Sequence, residues 1–488
     1  MSLVSSIGNR FRAEFLAQII HAVCSALTVV ILARLLDPNG YGLLFLAIAV
    51  VEISKMFAKL GVPESAARYI AEYKEDNPTQ LPHILRTSSI LLLVLVASVA
   101  TVMTVGHELI ANRLDEPELA PFLLVGVVYL IFNVLTGYAR SILQAFEAIQ
   151  LASVVKIIQG VGKVVFAIGL VLAGFGAIGA LGGYALRSFL AALFGLVVIY
   201  LLYYRTFEAA AEMEHGLKRR MAEYSVPLML TQAAKQLDSR VDTLLVGFFL
   251  NPAAVSFYAV SNQIIDFLQT PAAALGFTIS PTFGAEKAAG NVDGAARLYE
   301  TSLVHSLLLY TPAAAGLVLV ADPLIELVFG IEYIDAVPVL QVLSLYAVLI
   351  AVMDITSHGL DFLGRARARA IVRGITAVLN VGLNIVLIPT IGVVGAAIAT
   401  ITTFSLYTIA SVYIIHQEFD LRVPYLLKNT ATIVVITGVM STVVFLLLGY
   451  VQGWVTLLLV VAVGVIVWAV LSILAGLLDV QRIVRAVT

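Results

Sequence analysis

About fourteen apolar runs of roughly 20 residues dominate this sequence, and each is long enough for one helix to cross a lipid bilayer. Of the 488 residues, 60% are hydrophobic and 12% are charged, whereas soluble domains contain roughly 25% charged residues. A surface with so few charges must face lipid over most of its area. We therefore predict an all-α integral membrane protein of about fourteen transmembrane helices.

Lysine and arginine are distributed unevenly between the predicted loops. Most of the 29 basic residues fall in segments on one side of the membrane, whereas the opposite loops are acidic, with Asp115, Glu116 and Asp335 among them. Because cytoplasmic loops retain positive charge, this pattern predicts an even number of spans with both termini in the cytoplasm. We expect a multi-pass protein of the plasma (inner) membrane.

The first half of the chain matches the second half at an offset of 214 residues, which becomes 216 further along. The matched residues include Pro38 with Pro252, Glu52 with Asp266, Asn77 with Asn291, Phe146 with Phe362, Gly176 with Gly392 and Gly179 with Gly395. The repeat unit has six helices, an even number, so both copies enter the membrane in the same direction. Two parallel lobes of this kind suit alternating access.

The repeat also predicts the domain organisation. We expect a six-helix lobe at residues 1–205, a cytoplasmic linker at 206–223, a second six-helix lobe at 224–420, and two additional transmembrane helices at 421–488. The longest loops, near 61–83 and 203–223, are too short to form a soluble domain with its own core.

Ionisable side chains away from the helix ends are the best functional indication, because each is costly at membrane depth unless it is paired or faces a cavity. The predicted set is Glu52, Lys55, Lys163 and Arg187 in the first lobe and Lys235, Asp238, Arg240, Asp242 and Asp266 in the second. Glu52 and Lys55 are three residues apart on one helix and can pair. Lys235 and Asp242 share a polar stripe of the seventh helix, from which Arg240 points away.

The balance of these charges differs between the two lobes. The first lobe has three cations and one anion, and the second has two cations and three anions. We expect the first lobe to favour an anionic substrate and the second a coupling cation. The alternative for these charges is that they pair with one another or extend toward lipid headgroups. The alternative for the repeat is a duplicated structural bundle with no transport role.

Cofactor and nucleic-acid chemistry are not predicted. The net charge is −2, which favours no nucleic-acid partner, and the single cysteine, Cys24, excludes an intrachain disulfide. No Cys/His cluster indicates a metal. The glycine-containing turns carry no nucleotide motif, because no strand precedes them and no Walker lysine follows. Energy must then come from an ion gradient, the membrane potential or the substrate's own gradient.

Three segments carry a family resemblance. They are ARLLDPNGYG at 33–42, RYIAEY at 68–73 and DTLLVG at 242–247. These segments resemble polysaccharide-biosynthesis flippases of the Wzx type, within the multidrug/oligosaccharidyl-lipid/polysaccharide exporter superfamily, over roughly residues 1–420. Asp37 departs from the family pattern, which often has glycine there.

The resemblance implies a V-shaped, MATE-like pair of six-helix lobes. It also implies that the protein flips a polyprenyl-(pyro)phosphate-linked oligosaccharide from the cytoplasmic to the outer leaflet by alternating access. We expect no enzymatic activity, and H⁺ or Na⁺ is a candidate coupling ion. Basic residues would hold the phosphate, and the candidates in this sequence are Lys163, Arg187, Lys235, Arg240 and Lys55. The candidates for ion coupling are Asp242, Asp266 and Glu52.

Other functions remain open at this point. A cation-coupled multidrug antiporter of the same superfamily would use Asp242, Asp266 and Glu52 for cationic drugs, although the neighbouring cations disfavour it. A lipid II flippase shares the fourteen-helix plan. A membrane glycosyltransferase would need a large outer loop with an acidic metal motif, and the loop near 106–120 is too short for that.

Overall fold

The structure is a computed structural model that describes the backbone of residues 3–478. Within this range, the structure does not describe the side chains of residues 3–11, 227, 230–239, 270–282, 284–285, 287–288 and 366. The described backbone contains fifteen helices and no strand. The helices are α1 (Leu3–Leu35), α2 (Pro38–Lys59), α3 (Val62–Asp76), α4 (Leu81–Arg113), α5 (Leu119–Ala145), α6 (Ile149–Gly162), α7 (Gly176–Ile199), α8 (Leu217–Phe249), α9 (Pro252–Ala288), α10 (Val292–Val328), α11 (Ala336–Phe362), α12 (Ala366–Ile391), α13 (Val393–Glu418), α14 (Val423–Leu448) and α15 (Trp454–Leu474).

The prediction of an all-α integral membrane protein with about fourteen spans is confirmed. Among the described residues, eleven segments are long and apolar enough to cross a membrane, and one of them, Ile149–Tyr204, is 56 residues long and contains both α6 and α7. The 33-residue α8 and the 37-residue α9 also have spanning length, but parts of both lie outside the described side chains. The chain is therefore a multi-pass membrane protein.

The segment near 61–83, predicted as a loop, contains the amphipathic helix α3. Its apolar residues recur at helical spacing, so that Val62, Ala66, Tyr69, Ile70 and Tyr73 are buried. With 15 residues, α3 is too short to cross a bilayer. Its buried face packs against α4, α5 and α8, which is why this charged segment is helical.

The chain divides into two compact units, residues 1–256 and 257–488. In the first unit, α5 packs against α2, α4 and α7, and α1 packs against α6. Helix α8 is the first helix of the second sequence repeat, yet it packs against α2 and α3. Compact packing and the sequence repeat thus divide the chain at different places, and the predicted lobe boundaries stay predictions.

The second unit is built around α10. This helix packs against α11, α14 and α15, while α13 packs against α11 and α12. Trp468 on α15 donates a hydrogen bond from Nε1 to the Leu308 carbonyl on α10, at 2.9 Å. The fully buried carboxylate of Glu300 on α10 pairs with Arg297 at 3.0 Å and with Arg422 at 2.6 Å. The last two helices are therefore integral to this unit.

The sequence repeat has a counterpart in local structure. The pairings of α5 with α4 and of α7 with α5 and α6 recur as pairings of α11 with α10 and of α13 with α11 and α12. Gly176 begins α7 at φ 57° and ψ −149°, and Gly392 precedes α13 at φ 67° and ψ −153°. Only glycine adopts such a backbone conformation readily. The same glycine joint therefore connects corresponding helices in both units.

Candidate functional site

Two basic side chains in the first unit lie against one aromatic ring. The Lys163 Nζ is 5.2 Å from the centroid of the Tyr184 ring, and the Arg187 guanidinium carbon is 4.8 Å from it. Lys163 also donates to the Ser25 hydroxyl at 3.1 Å, and Arg187 donates to the Gln159 carbonyl at 3.1 Å. Both distances to the ring lie within the range of cation–π attraction. These residues form the centre of the candidate site, which we call the inner site.

Close packing of α6 and α7 brings the two cations together. A Cβ added at Gly162 would lie 2.9 Å from the Arg187 Cβ, so only glycine fits at this crossing. At Lys163, α6 continues as a π-helical segment, Lys163–Ile168. Single π-helical turns occur frequently at functional sites. The local winding of α6 therefore changes at the residue that contributes the ammonium group.

A chain of polar contacts connects α2 and α5 to the inner site. Glu52 forms an ion pair with Lys55, and Lys55 donates to the Asn133 side-chain oxygen at 3.2 Å. Asn133 donates in turn to the Tyr129 hydroxyl at 3.2 Å. The Tyr129 ring meets the Tyr184 ring edge-on, with centroids 6.0 Å apart. Lys55 is therefore linked to the inner site through neutral residues.

The predicted residues of α8 and α9 are placed differently. Arg240 acts electrostatically on Tyr129, as do Glu52 and Arg187. The Arg240 Nε is buried, with no hydrogen-bond partner among the described residues. Asp242 is also buried in the first unit, whereas Asp266 is exposed and belongs to the second unit.

The structure thus gathers five of the eight predicted site residues around Tyr129 and Tyr184: Glu52, Lys55, Lys163, Arg187 and Arg240. Of the other three, Asp242 is buried in the same unit, Asp266 belongs to the second unit, and the Lys235 side chain lies outside the described residues.

Sequence reasoning missed the neutral members of the site. Tyr184 is three residues before Arg187 on α7, and Asn133 is four residues after Tyr129 on α5. Such spacings place the members of each pair on one helix face. For Tyr184, the available signal was therefore an aromatic side chain on the same helix face as an intramembrane cation.

The second unit contains an apolar cavity of about 460 Å³ between α9, α10, α14 and α15. Its lining consists almost entirely of aliphatic and aromatic side chains, among them Phe267, Leu317, Met440, Val465 and Trp468. This cavity can accept hydrocarbon but offers little to a charged group. Within the described part of the chain, no cluster of three His, Cys, Asp or Glu residues could hold a metal ion.

The fold and the inner site define a polytopic membrane protein with a cationic intramembrane site. The family model described as "Polysaccharide biosynthesis protein" matches residues 12–285, more than half of the chain. The chain belongs to this family, which confirms the resemblance found in the sequence. A second model, described as MatE, matches residues 227–386.

The name of one relative agrees with this assignment. Agl15 of Haloferax volcanii, named a probable low-salt glycan biosynthesis flippase, is 26% identical over 207 residues, which are 42% of this chain and 44% of Agl15. The match therefore spans less than half of that relative.

Two solved structures share the fold. One, a lipid II flippase MurJ in an inward closed conformation, has a TM-score of 0.75 at 16% identity and covers 94% of this chain and 97% of its own. The other, an inward-facing multidrug resistance MATE family transporter, has a TM-score of 0.70 at 16% identity and covers 84% of this chain and 96% of its own. At these identities the likeness concerns the fold alone.

Proposed function

We propose that this protein flips a polyprenyl-(pyro)phosphate-linked oligosaccharide from the cytoplasmic to the outer leaflet, for assembly of cell-surface polysaccharide or glycoprotein. The observation that carries the proposal is the inner site. There, Lys163 and Arg187 lie on one tyrosine ring, at membrane depth, with a hydroxyl and a carbonyl as hydrogen-bond partners.

The chemistry of the inner site suits a phosphate group. An anion there would be attracted by both cations in surroundings of low polarity, where electrostatic attraction is stronger than in water. Arginine presents several N–H donors in a planar fork that matches phosphate oxygens, and lysine acts as a point charge. Lys163 and Arg187 together can therefore neutralise a phosphate or pyrophosphate.

The apolar cavity of the second unit supports the same substrate class. A polyprenyl carrier is a long hydrocarbon, and each buried CH₂ group contributes about 0.8 kcal/mol. The hydrocarbon part of such a substrate therefore suits the chemistry of this cavity. The family's description as polysaccharide biosynthesis proteins also points to glycan assembly, and the name of the relative Agl15 points to flipping as the step.

We further propose that transport proceeds by alternating access of two lobes at 1–205 and 224–420, and that the protein catalyses no covalent reaction. Both termini lie in the cytoplasm, in the plasma or inner membrane. Glu52, Asp242 and Asp266 are the candidates for coupling to H⁺ or Na⁺, and the basic residues Lys55, Lys235 and Arg240 assist in substrate binding.

The second candidate function is cation-coupled multidrug antiport. The MatE family match at residues 227–386 favours it. Antiport of cationic drugs needs an acidic cavity, however, and the centre of the inner site is cationic. The sign of the charge therefore favours the flippase.

A leaflet-resolved assay of lipid-linked oligosaccharides in a deletion strain tests the proposal. We expect these lipids to accumulate in the cytoplasmic leaflet and the wild-type gene to restore their distribution. The double variant K163Q/R187Q should fail to restore it. Lys59→Gln, which removes a cation paired with Glu64 at a helix end, is the matched control and should complement. Unchanged lipid-linked sugar together with new drug sensitivity would instead support the antiporter.

A further inference from the structure

A second cationic cluster lies where Glu14, in the N-terminal half of α1, meets α5 and α6. Its residue on α6, Lys156, is two helical turns before Lys163 of the inner site. The Glu14 carboxylate accepts from the Arg140 Nη2 at 2.9 Å and from the Lys156 Nζ at 2.8 Å, both on Oε1. Its other oxygen, Oε2, accepts from the Ser153 hydroxyl at 2.9 Å. Three donors from α5 and α6 thus converge on one carboxylate supplied by α1.

The donors of this cluster exceed what one carboxylate needs. Two cations face a single anion, so Glu14, Arg140 and Lys156 together carry a net positive charge. The Arg140 Nε is buried, with no hydrogen-bond partner among the described residues. The Glu14 and Arg140 side chains are 32% and 31% exposed, so the cluster is open to an incoming group. A phosphate, with more oxygens and more charge than a carboxylate, would satisfy these donors more fully.

A polar seam connects this cluster to the inner site. On α1, Glu14 is followed by His21 and Ser25, and on α6, Lys156 is followed by Lys163. Glu14 to His21 and Lys156 to Lys163 are each seven residues, which is two turns or about 10 Å along a helix. Helix α1 packs directly against α6. A Cβ at Gly160 of α6 would lie 3.0 Å from the His21 Cα. The two helices are therefore in close contact between the clusters.

His21 occupies the middle of this seam. Its ring interacts electrostatically with all four cations, namely Arg187, Lys163, Lys156 and Arg140. Its Nδ1 is buried, and no hydrogen-bond partner for it exists in the described part of the chain. The seam therefore offers an anion a continuous series of positive or hydrogen-bonding groups.

We propose that Arg140, Lys156 and Ser153 form a second anion site, which receives the phosphate or pyrophosphate of the substrate before it reaches Lys163 and Arg187. Glu14 is a tethered competitor: its carboxylate occupies the site and is displaced by the incoming phosphate. This inference rests on the proposed flippase function, since it places the second site on the route of the same headgroup.

Binding of inorganic pyrophosphate to the purified full-length protein in phosphatidylcholine nanodiscs tests the inference by calorimetry. Glu14→Gln removes the competing charge, and we expect pyrophosphate to bind about tenfold more tightly, which corresponds to about 1.4 kcal/mol. Glu64→Gln is the matched control, because Glu64 is 31% exposed and also pairs with a lysine. It should leave the affinity unchanged.

Further variants assign the gain to this cluster. The gain from Glu14→Gln should disappear in E14Q/K156Q and persist in E14Q/K163Q. Ser153→Ala removes a neutral donor without breaking an ion pair, and should weaken pyrophosphate binding a few-fold. This variant tests the site independently if the Glu14→Gln protein does not fold.

Unchanged or weaker binding by a folded Glu14→Gln variant would overturn the inference and leave Glu14 as a structural ion pair. A gain in pyrophosphate affinity in a protein whose deletion does not disturb lipid-linked sugars would support the anion site and reject the flippase function. The two failures are therefore distinguishable.

Discussion

Tyr184 is the residue that the two cations of the inner site share. Its ring attracts both Lys163 and Arg187 through its quadrupole, and its edge-on contact with Tyr129 fixes its orientation. A neutral ring attracts a cation without neutralising it. The positive charge therefore remains available to an anion, which would not be so if a carboxylate took the place of the ring.

Replacement of Tyr184 separates the ring from the hydroxyl. Tyr184→Phe keeps the aromatic face, and we expect transport close to that of the wild type. Tyr184→Leu removes the cation–π attraction, worth about 1–2 kcal/mol at a desolvated site, and should reduce the flipping rate roughly tenfold. The leaflet assay in the deletion strain measures both variants at matched expression. Equal activity of the two variants would show that the ring does not contribute.

The charged residues of the inner site could be predicted from the sequence, because an ionised side chain inside an apolar run is conspicuous. The neutral partners could not be predicted in the same way. Ser25, Asn133 and Tyr129 are uncharged, and uncharged polar residues commonly form hydrogen bonds between membrane helices, so their residue types alone do not mark a site. The pairing of Glu14 with Arg140 was also beyond the sequence, since these residues are 126 positions apart and meet only through helix packing.

At the scale of elements, the crossing of α6 and α7 determines the geometry of the inner site. Gly162 leaves room for Arg187, and Lys163 follows it immediately at the start of the π-helical segment. The position of the ammonium relative to the guanidinium thus depends on how closely the two helices approach.

Gly162→Ala tests this dependence. The added methyl would lie 2.9 Å from the Arg187 Cβ, and we expect overpacking to cost about 1–3 kcal/mol and to reduce transport. Gly169→Ala is the control, because a Cβ there meets nothing within 4 Å. Thermal unfolding in detergent and the leaflet assay measure the two effects. A Gly162→Ala protein as stable and active as Gly169→Ala would contradict the proposed role of this crossing.

The segment between α7 and α8 is docked onto α3 and α4. The Tyr73 hydroxyl donates to the Glu214 Oε2 at 2.6 Å and accepts from the Arg220 Nη2 at 2.8 Å. Gln80 donates to the Glu212 carbonyl at 3.2 Å and accepts from the Glu214 backbone N–H at 2.9 Å. These contacts hold the segment to the first unit in a way that its charged sequence did not predict.

This docking should depend on pH. Hydrogen bonding from Tyr73, together with Arg220, holds the pKa of Glu214 below its ordinary value, while burial and Glu214 raise the pKa of Tyr73. A lowered carboxyl pKa stabilises docking above the ordinary range of glutamate and ceases to do so as pH falls through the lowered value. The protection of residues 206–216 against hydrogen exchange, measured relative to the intrinsic exchange rate at each pH, should therefore be high at neutral pH and lower in acid. Glu214→Gln should remove most of this dependence, and an unaltered pH profile in that variant would contradict the assignment.

At the scale of the whole molecule, the number of helices and the repeat could be predicted because both leave regular patterns in the sequence. Apolar runs of spanning length predict helices, and matched turn residues at a constant offset predict a duplication. The division into compact units at 256 and 257 could not be predicted. It depends on the packing of α8 against α2 and α3. These are tertiary contacts, and no local sequence pattern specifies them.

The proposed orientation can be tested with single cysteines in a Cys24→Ser background. A membrane-impermeant maleimide applied to intact cells should label Glu116→Cys, in the acidic loop between α4 and α5. It should label Asn77→Cys, at the end of α3, only after the cells are opened. The two loops lie at opposite ends of α4, so each is the control for the other. The reverse labelling pattern would place the termini outside the cytoplasm.

The paired glycines at 176 and 392 have a consequence for how such a protein evolves. A duplicated chain contains two sister sequences, and comparing them shows which positions have stayed alike. Both glycines were retained where the backbone requires them, whereas at the same offset Lys163 corresponds to Leu379 and Arg187 to Thr403. The residues that shape the frame and those proposed to contact the cargo are different residues. Selection can therefore alter the cargo of one half while the inherited frame is left intact.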